Sequence, residues 1–277
     1  MTAKKNVLTN FDENKCRHIL SLSGGKDSTA LALYLRDRVP NMEYVFCDTG
    51  EELSETYEYL LRIEAQLGVK IIRLNPERHF HYYLDLYRGV LPDPRTRWCT
   101  RMLKLHPFEK FVGTTSAFLY TGIRADEPHR SGYISTKSNI KPIFPFVEDG
   151  IMHHDVLRIL QDSGLGLPEY YKWRSRSGCY FCFFQQRREW IGLFERHPGL
   201  FWKAAEFEKF DPISGKRFTW NKNESLKELA SNPERINQIK IDYQKKLKNT
   251  SQSGDTTLIN IFDADDTERE SCLICHL

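Results

Sequence analysis

The sequence contains no apolar run approaching the roughly 20 residues that span a bilayer. Its opening stretch, MTAKKNVLTNFDENK, has no hydrophobic core of the kind a secretory leader carries. The expected setting is therefore the cytoplasm, with no membrane partner. A strong charge of one sign is also missing. The net charge is +3 and the pI ≈ 8.4, which permits an anionic partner without demanding one, so any case for nucleic acid must rest on local patches. No internal repeat, no long low-complexity tract and no G-x-x-x-x-G-K-[ST] loop is present, and the last absence excludes the common nucleotidase phosphate loop. What the chain does have is length and apolar content. Its 277 residues, 40% hydrophobic, are enough for one large domain or a domain with an appendage. Its seven cysteines, in a cytoplasmic setting, read as ligands or reactive thiols rather than disulfides.

The organising stretch is 18–35, HILSLSGGKDSTALALYL. His18 to Leu22 is short and apolar and reads as a buried strand, and Thr29 to Leu35 reads as a helix. Between them lies Ser23-Gly24-Gly25-Lys26-Asp27-Ser28. A strand, a glycine turn and a helix N-terminus together bind phosphate: the glycines let backbone N–H groups approach the anion, and the helix presents its positive end. Lys26 adds a point charge, and Ser23, Ser28 and Thr29 add hydroxyls. Asp27 would repel phosphate unless a cation bridges the two, which assigns it to Mg²⁺. The plain alternative is a glycine turn with no ligand.

Further along, Met42 to Cys47 reads as a second strand ending in Asp48-Thr49-Gly50. A helix starts at Ser54 and closes at Gly68, and Val69 to Leu74 is a third strand. This alternation predicts parallel pairing with right-handed crossovers, hence an α/β fold: a mostly parallel twisted sheet with helices on both faces. Residues 75–97 read as an ordered connection with short helices. A helix is expected near Pro107 to Val112, a strand at Ala117 to Thr121, an edge or surface segment at Ile140 to Phe146 and a helix at Met152 to Ser163. Trp190 to Phe210 is helical with a break at Pro198. Residues 1–15 form a lead-in, 16–210 the nucleotide-binding domain, and 211–277 a C-terminal helical, cysteine-containing extension. Within that extension a basic helix is expected over 225–248 and a polar linker over 249–257.

Four matches run in order: SGGKDS at 23–28; Asp48-Thr49-Gly50 with Glu55-Thr56-Tyr57; Thr121-Gly122-Ile123-Arg124 with Asp126-Glu127; and Gly178-Cys179-x-x-Cys182. With them the chain resembles the PP-loop ATP pyrophosphatase superfamily, in its phosphoadenosine phosphosulfate reductase-like branch. The resemblance implies the adenine nucleotide α-hydrolase-like fold and cleavage of ATP to AMP and pyrophosphate. It places nucleotide contacts on Ser21, Ser23, Gly24, Gly25, Lys26, Asp27, Ser28, Asp48, Thr49, Gly122 and Arg124, with Lys26, Asp27 and Ser28 as the catalytic set. Arg124 independently suits a phosphate, because its planar fork gives bidentate contacts.

Cys179 and Cys182 are spaced to face one metal centre. Reductases of the branch hold a 4Fe-4S cluster with a Cys-Cys tandem and a later CxxC. Here the tandem reads Trp98-Cys99, so one ligand is missing. The resemblance then implies Cys99, Cys179, Cys182 and a tail cysteine, Cys275 with Cys272 as its rival, or a three-ligand cluster with an open iron. A structural zinc on Cys179, Cys182, Cys272 and Cys275 fits the count equally well, and a redox pair at the tail is a third reading. Cys16 and Cys47 read as plain thiols.

Arg95, Arg97, Arg101 and Lys104 flank Cys99, and Arg174, Arg176, Arg187 and Arg188 flank the CxxC, with Trp98, Tyr171 and Trp173 interleaved. Such a set could grip phosphates and stack on bases. Within the superfamily this pattern is similar to the ATP pyrophosphatases of DNA phosphorothioation, the Ssp and Dnd systems. That similarity implies a nucleic-acid partner with DNA favoured, a cysteine desulfurase or other sulfur donor, other phosphorothioation proteins and a role in antiphage defence. The alternatives are a sulfonucleotide reductase with a C-terminal thiol nucleophile, a tRNA thiolase, and a nucleic-acid adaptor without turnover.

Overall fold

The computed structural model describes residues 15–128, 130, 137–213 and 215–252, the last six by their backbone only. Strand β1 (Arg17–Ser21) leads through the glycine turn into helix α1 (Lys26–Leu35). Then follow β2 (Met42–Cys47), α2 (Ser54–Leu67) and β3 (Ile72–Leu74), and after them α3 (Phe80–Leu86), α4 (Trp98–Thr100) and α5 (His106–Val112). The next elements are β4 (Ala117–Tyr120), β5 (Ile140–Ile143), α6 (Pro145–Glu148), α7 (His153–Asp162), α8 (Arg187–Arg196) and α9 (Pro198–Glu206). A short hairpin of β6 (Lys209–Phe210) and β7 (Arg217–Phe218), α10 (Leu226–Ala230) and α11 (Pro233–Gln252) complete the described chain.

The five long strands pair in parallel in the order β3-β2-β1-β4-β5. Ile19 and Leu20 are both fully buried although they point to opposite faces, as expected for a parallel sheet covered on both sides. Leu20 packs in a cluster with Leu31 of α1, Leu60 and Ile63 of α2 and Val156 and Leu160 of α7. Ile19 packs in another with Phe108 and Val112 of α5. A third, aromatic cluster lies outside the sheet and gathers Phe80, Trp98, Tyr170, Phe181, Trp190 and Phe201. Trp220, Leu226 and Leu229 belong to it, so the segment after 210 packs directly on the residues before it.

Several boundaries differ from those expected. Helix α1 begins at Lys26 rather than Thr29, because Gly25 is extended (φ −96, ψ 171) and acts as its N-cap. Gly68 ends α2 in the left-handed region (φ 69), as a C-cap glycine does. The third strand is shortened to Ile72–Leu74, and Ile140–Ile143 is a true edge strand that tolerates Pro142. The basic stretch at 225–248 is two helices, since Pro233 starts a new one, and α11 runs on through 249–252 where a linker was expected. Between α4 and α5 the chain winds as a π-turn over Arg101–Leu105. Pro107 has no N–H to give to the carbonyl four residues back, so the regular ladder is broken there.

Candidate functional site: a phosphate loop beside a thiol cavity

The strand order reverses between β1 and β4, and in such sheets ligands collect at the carboxyl ends of the two strands that flank the reversal. Ser23 to Ser28 follows β1, and Gly122 to Arg124 follows β4, so both segments sit at this crevice. They meet directly. Arg124 Nη1 donates to Asp27 Oδ1 at 2.9 Å, while its Nε donates to Asp126 at 2.9 Å and Glu127 lies 3.7 Å from its Nη2. Lys26 Nζ stands 3.9 Å from the other Asp27 oxygen. Lys26, Asp27 and Arg124 are all buried. A Cβ on Gly122 would lie 2.9 Å from the carbonyl oxygen of Asp27, so this glycine sets the close approach of β4 to the start of α1.

The loop is braced from behind. The Ser23 hydroxyl is 3.1 Å from that of Ser28, whose oxygen also accepts the Ser23 N–H. Thr29 donates to the Gly25 carbonyl. Tyr170 donates to the Gly24 carbonyl at 2.6 Å, and its stacked neighbour Tyr171 accepts the Lys26 N–H at 3.1 Å. Tyr171 is thus spent on the loop and does not stack on bases. Trp98 and Trp173 are corrected in the same way. Trp98 is stacked against Phe80 and Tyr87 with its indole N–H on the Val90 carbonyl, and Trp173 is buried against Gly192. Ser21 is buried at the end of β1. Asp48 accepts the Gly50 N–H and the Tyr57 hydroxyl, which fixes the turn after β2.

A cavity opens next to the loop, lined by Thr49, Pro92, Cys99, Thr100, Ser177 and Cys179, with Lys104 and Cys182 also on its wall. Cys99, Cys179 and Cys182 therefore share one cavity, as the sequence suggested. The residue beside Cys99 that faces it is Thr100; Trp98 turns into the core, so the position lacking a thiol is 100 rather than 98. Burial pushes the Cys99 thiol up to about 12, helped by Cys182. Burial and the Glu52 charge raise Cys179 well above its ordinary value. Burial alone would lower Lys104, but Glu52 and the neighbouring thiols outweigh it and favour the ammonium. Thiols ionise when a metal takes them, and these three, each half-buried, fit a thiolate centre in donor type. The fold supplies donors rather than a finished coordination sphere. Among the described residues no three ligating side chains have closed around a point, and Cys272 and Cys275 lie outside the described residues.

The loop and the cavity share a wall. Ser177 lines the cavity and donates to the Ser23 hydroxyl at 3.1 Å, and a Cβ on Gly25 would sit 2.8 Å from the same Ser177 oxygen. Thr49 donates to Glu52 Oε1 at 3.0 Å and lies 3.2 Å from Cys179 Sγ, while Glu52 Oε2 is buried with no partner among the described residues. Arg174, fully buried, donates to the carbonyls of Gly178 and Cys179 and so holds the CxxC loop. Glu189, fully buried, accepts both the N–H and the hydroxyl of Ser175 at 2.7 Å and the Gln186 N–H at 2.8 Å. Ser177, Thr100, Glu52, Tyr170 and Glu189 were not foreseen as parts of the site. Glu52 alone had a signal, its closeness to Asp48-Thr49-Gly50.

The chain is 28% identical over 229 residues to an uncharacterized protein of Methanocaldococcus jannaschii, covering 74% of this chain and 46% of that protein. It is 30% identical over 121 residues to the tRNA-specific 2-thiouridylase MnmA of Bacillus pumilus, covering 38% of this chain and 32% of that one. The crystal structure of phosphoadenylyl-sulfate reductase from Candida auris, a phosphate complex, superposes with a TM-score of 0.48 at 13% identity over 61% of this chain and 82% of that one. The chain spans about half the length of the first curated relatives it matches. The family model described as the phosphoadenosine phosphosulfate reductase domain matches residues 17–182, from β1 through the phosphate loop and the Arg124 segment to the second cysteine of the CxxC, and the chain belongs to that family.

Proposed function

We propose that the protein is an ATP pyrophosphatase that activates an oxygen of a nucleic acid for replacement by sulfur. The observation that carries this reading is the shared wall: Ser177 bonds the phosphate loop on one side and lines the three-thiol cavity on the other. A nucleotide on the loop would therefore lie beside the place where sulfur is held. The acceptor oxygen attacks the α-phosphorus of ATP, the bond to pyrophosphate breaks, and an adenylated acceptor remains. A hydrosulfide-equivalent sulfur, delivered by a cysteine desulfurase or another donor, then displaces AMP. The backbone N–H groups at the start of α1 and the Lys26 ammonium hold the leaving phosphates, mainly by electrostatics and positioning. Arg124 keeps Asp27 oriented at the mouth of the loop. Mg²⁺ entering with ATP would supply the charge that lets Asp27 face phosphate, and a 4Fe-4S cluster on Cys99, Cys179 and Cys182 would supply a docking point for sulfide, with zinc as the rival occupant.

The finer reading is DNA phosphorothioation, in which the acceptor is a non-bridging oxygen of the DNA backbone and the biological setting is antiphage defence. A second reading, a tRNA thiolase, is favoured by the relatives named tRNA-specific 2-thiouridylases. One experiment separates them. The protein, purified without oxygen and assayed for iron and sulfide, is incubated with ATP, Mg²⁺ and a sulfide source, with DNA or tRNA in parallel. Pyrophosphate and AMP should form, and mass spectrometry should find one oxygen exchanged for sulfur in a DNA phosphate or a tRNA base. Sulfite release from an adenylyl sulfate with no ATP cleavage would overturn the proposal in favour of a reductase.

A further inference from the structure

The arginines that flank the cysteines in sequence have different fates in the fold. Arg174 is buried and bonded to two carbonyls, Arg187 pairs with Glu224, and Arg188 lies 3.7 Å from Glu189. Arg95, Arg97, Arg101 and Lys104 make no ion pair with any carboxylate among the described residues. The nearest candidate, Asp93, uses Oδ1 on the backbone N–H groups of Arg95 and Thr96. Arg95 and Arg101 are exposed, Arg97 is half-buried, and Lys104 lines the thiol cavity. The four cations thus lead from solvent to the cavity. Four positive groups within ten residues repel one another; Asp93 offsets Arg95 and Glu52 offsets Lys104 only from beyond ion-pair distance, so Arg95, Arg97 and Arg101 keep charge that an arriving anion can meet.

Arg97 is held in place at some expense. Its backbone is left-handed (φ 37, ψ 32), a conformation that disfavours any residue but glycine. Its Nε donates to the Pro94 carbonyl at 2.8 Å, and its guanidinium lies 5.5 Å from the centre of the Phe184 ring, which Arg176 approaches to 5.4 Å. The Arg101 N–H donates to the Arg97 carbonyl at 3.3 Å, so these two arginines stand one helical turn apart. Phe184, Trp98, Tyr171 and Trp173 are buried and offer no stacking surface, while Phe183 is half-buried on the cavity wall.

We infer that Arg95, Arg97 and Arg101 form the surface that grips the sugar-phosphate backbone of the nucleic-acid acceptor, through its phosphates and without reading its bases, and leads it to the thiol cavity. This inference rests on the nucleic-acid reading proposed above and assigns it a surface. A labelled single-stranded DNA, its duplex and an uncharged peptide nucleic acid of the same sequence are titrated with the full chain by fluorescence anisotropy at several salt concentrations, without ATP. The triple variant Arg95→Ala, Arg97→Ala, Arg101→Ala is compared with the charge-matched control Arg36→Ala, Arg158→Ala, Arg217→Ala, whose arginines are exposed and paired with carboxylates. Removing the gripping set should lower affinity for DNA at least about tenfold and reduce the slope of log affinity against log salt by about 2 on a single strand and about 3 on a duplex, given roughly 0.7 and 0.9 per phosphate. The control should change the slope by less than about 1. Whichever DNA form binds more tightly identifies the form presented to the cavity, and the peptide nucleic acid should not bind.

Equal losses in the two triple variants, or equal binding of the uncharged analogue, would overturn the inference. Arg101→Glu against Arg158→Glu, each a single exposed position, gives the same test should the triple variant unfold, with the greater loss expected at 101. Because no ATP is present, a protein that cleaves no ATP can still pass this test, and one that cleaves ATP can still fail it.

Discussion

Around the phosphate loop the charged and hydroxyl side chains already have protein partners; around the thiol cavity several do not. Asp27 has Arg124, Arg124 has Asp27 and Asp126, and Ser23 has Ser28 and Ser177. Across the shared wall, Glu52 Oε2 has no partner, and Lys104 has no carboxylate at ion-pair distance, among the described residues. Buried polar groups are ordinarily satisfied, so an orphaned Glu52 oxygen, and a Lys104 ammonium that Glu52 favours without pairing directly, leave polar capacity beside the three thiols. The loop is a set of groups already fixed by one another. The cavity is a set of donors whose arrangement is finished by what enters it.

The sharpest test of that contrast removes the loop's point charge. Lys26→Ala should lower kcat/KM for pyrophosphate release by about 10²–10³-fold, because the lost interaction is one aimed at charge growing on the leaving group. The bracing bonds from Tyr170 and from Ser28 do not involve the lysine side chain, so the melting temperature should stay within a few degrees of the parent. Pyrophosphate release at the parental rate would show that the chemistry lies elsewhere.

The buried support of the segment before the CxxC, Glu189 under Ser175, should respond in the opposite way, through stability and pH. Burial would by itself raise the Glu189 carboxyl, but the Arg188 charge, the Gln186 N–H and the Ser175 hydroxyl outweigh it and hold it below its ordinary value of about 4.3. A carboxylate depressed on folding stabilises the protein fully above that ordinary value, and the stabilisation is lost as pH falls through the folded value. Glu189→Gln should therefore cost about 3 kcal/mol at pH 7, since it puts an amide N–H₂ where donors point. In urea unfolding the gap between parent and variant should close as the pH is taken below about 4. A gap that is constant with pH would mean that the charge is not what holds Ser175.

The strand–glycine turn–helix order was legible because it is local, lying in one run, although the helix starts three residues earlier than that run suggested, with Gly25 as its N-cap and Lys26 to Ser28 in its first turn. The sheet was legible for a similar reason, since Met42 to Cys47 and Ser54 to Leu67 carry their own periods and stop signals. The cavity was half legible. The spacing of Cys179 and Cys182 pointed to a shared centre, but which neighbour of Cys99 faces it depends on the π-turn after it, and a sequence period assumes regular pitch. Glu189 supports Ser175 from another element, and Tyr170 reaches Gly24 across 146 positions; contacts of that range leave no local pattern to read. The arginines and aromatics near the CxxC have individual fates that their spacing does not show. Composition says that they are close, and only packing says which are spent.

A further break in the comparison uses Gly122, where the obstacle is backbone. An added Cβ would meet the Asp27 carbonyl oxygen at 2.9 Å and the Ser28 nitrogen at 3.2 Å, neither of which can swing away. Gly122→Ala should destabilise the fold by about 1–3 kcal/mol by forcing β4 and α1 apart, and should raise the KM for ATP as the loop shifts. An unchanged melting curve would show that the crevice is looser than its contacts imply.

The mildest effect is expected at Gly25, and it tests the shared wall itself. Its φ of −96 suits any residue, so Gly25→Ala brings no backbone strain. The obstacle is the Ser177 hydroxyl at 2.8 Å, a side-chain tip that can rotate, so the cost to stability should be under about 1 kcal/mol. Rotation would also take Ser177 off Ser23, and that bond links the loop to the cavity. Ser177→Ala removes the obstacle and the bond together. In the double variant the two losses should therefore fall short of their sum by about 0.5 kcal/mol or more, the signature of groups in contact. Strict additivity in thermal or urea unfolding would mean that the loop and the cavity are neighbours without being joined, and the case for sulfur delivered beside a bound nucleotide would lose its structural link.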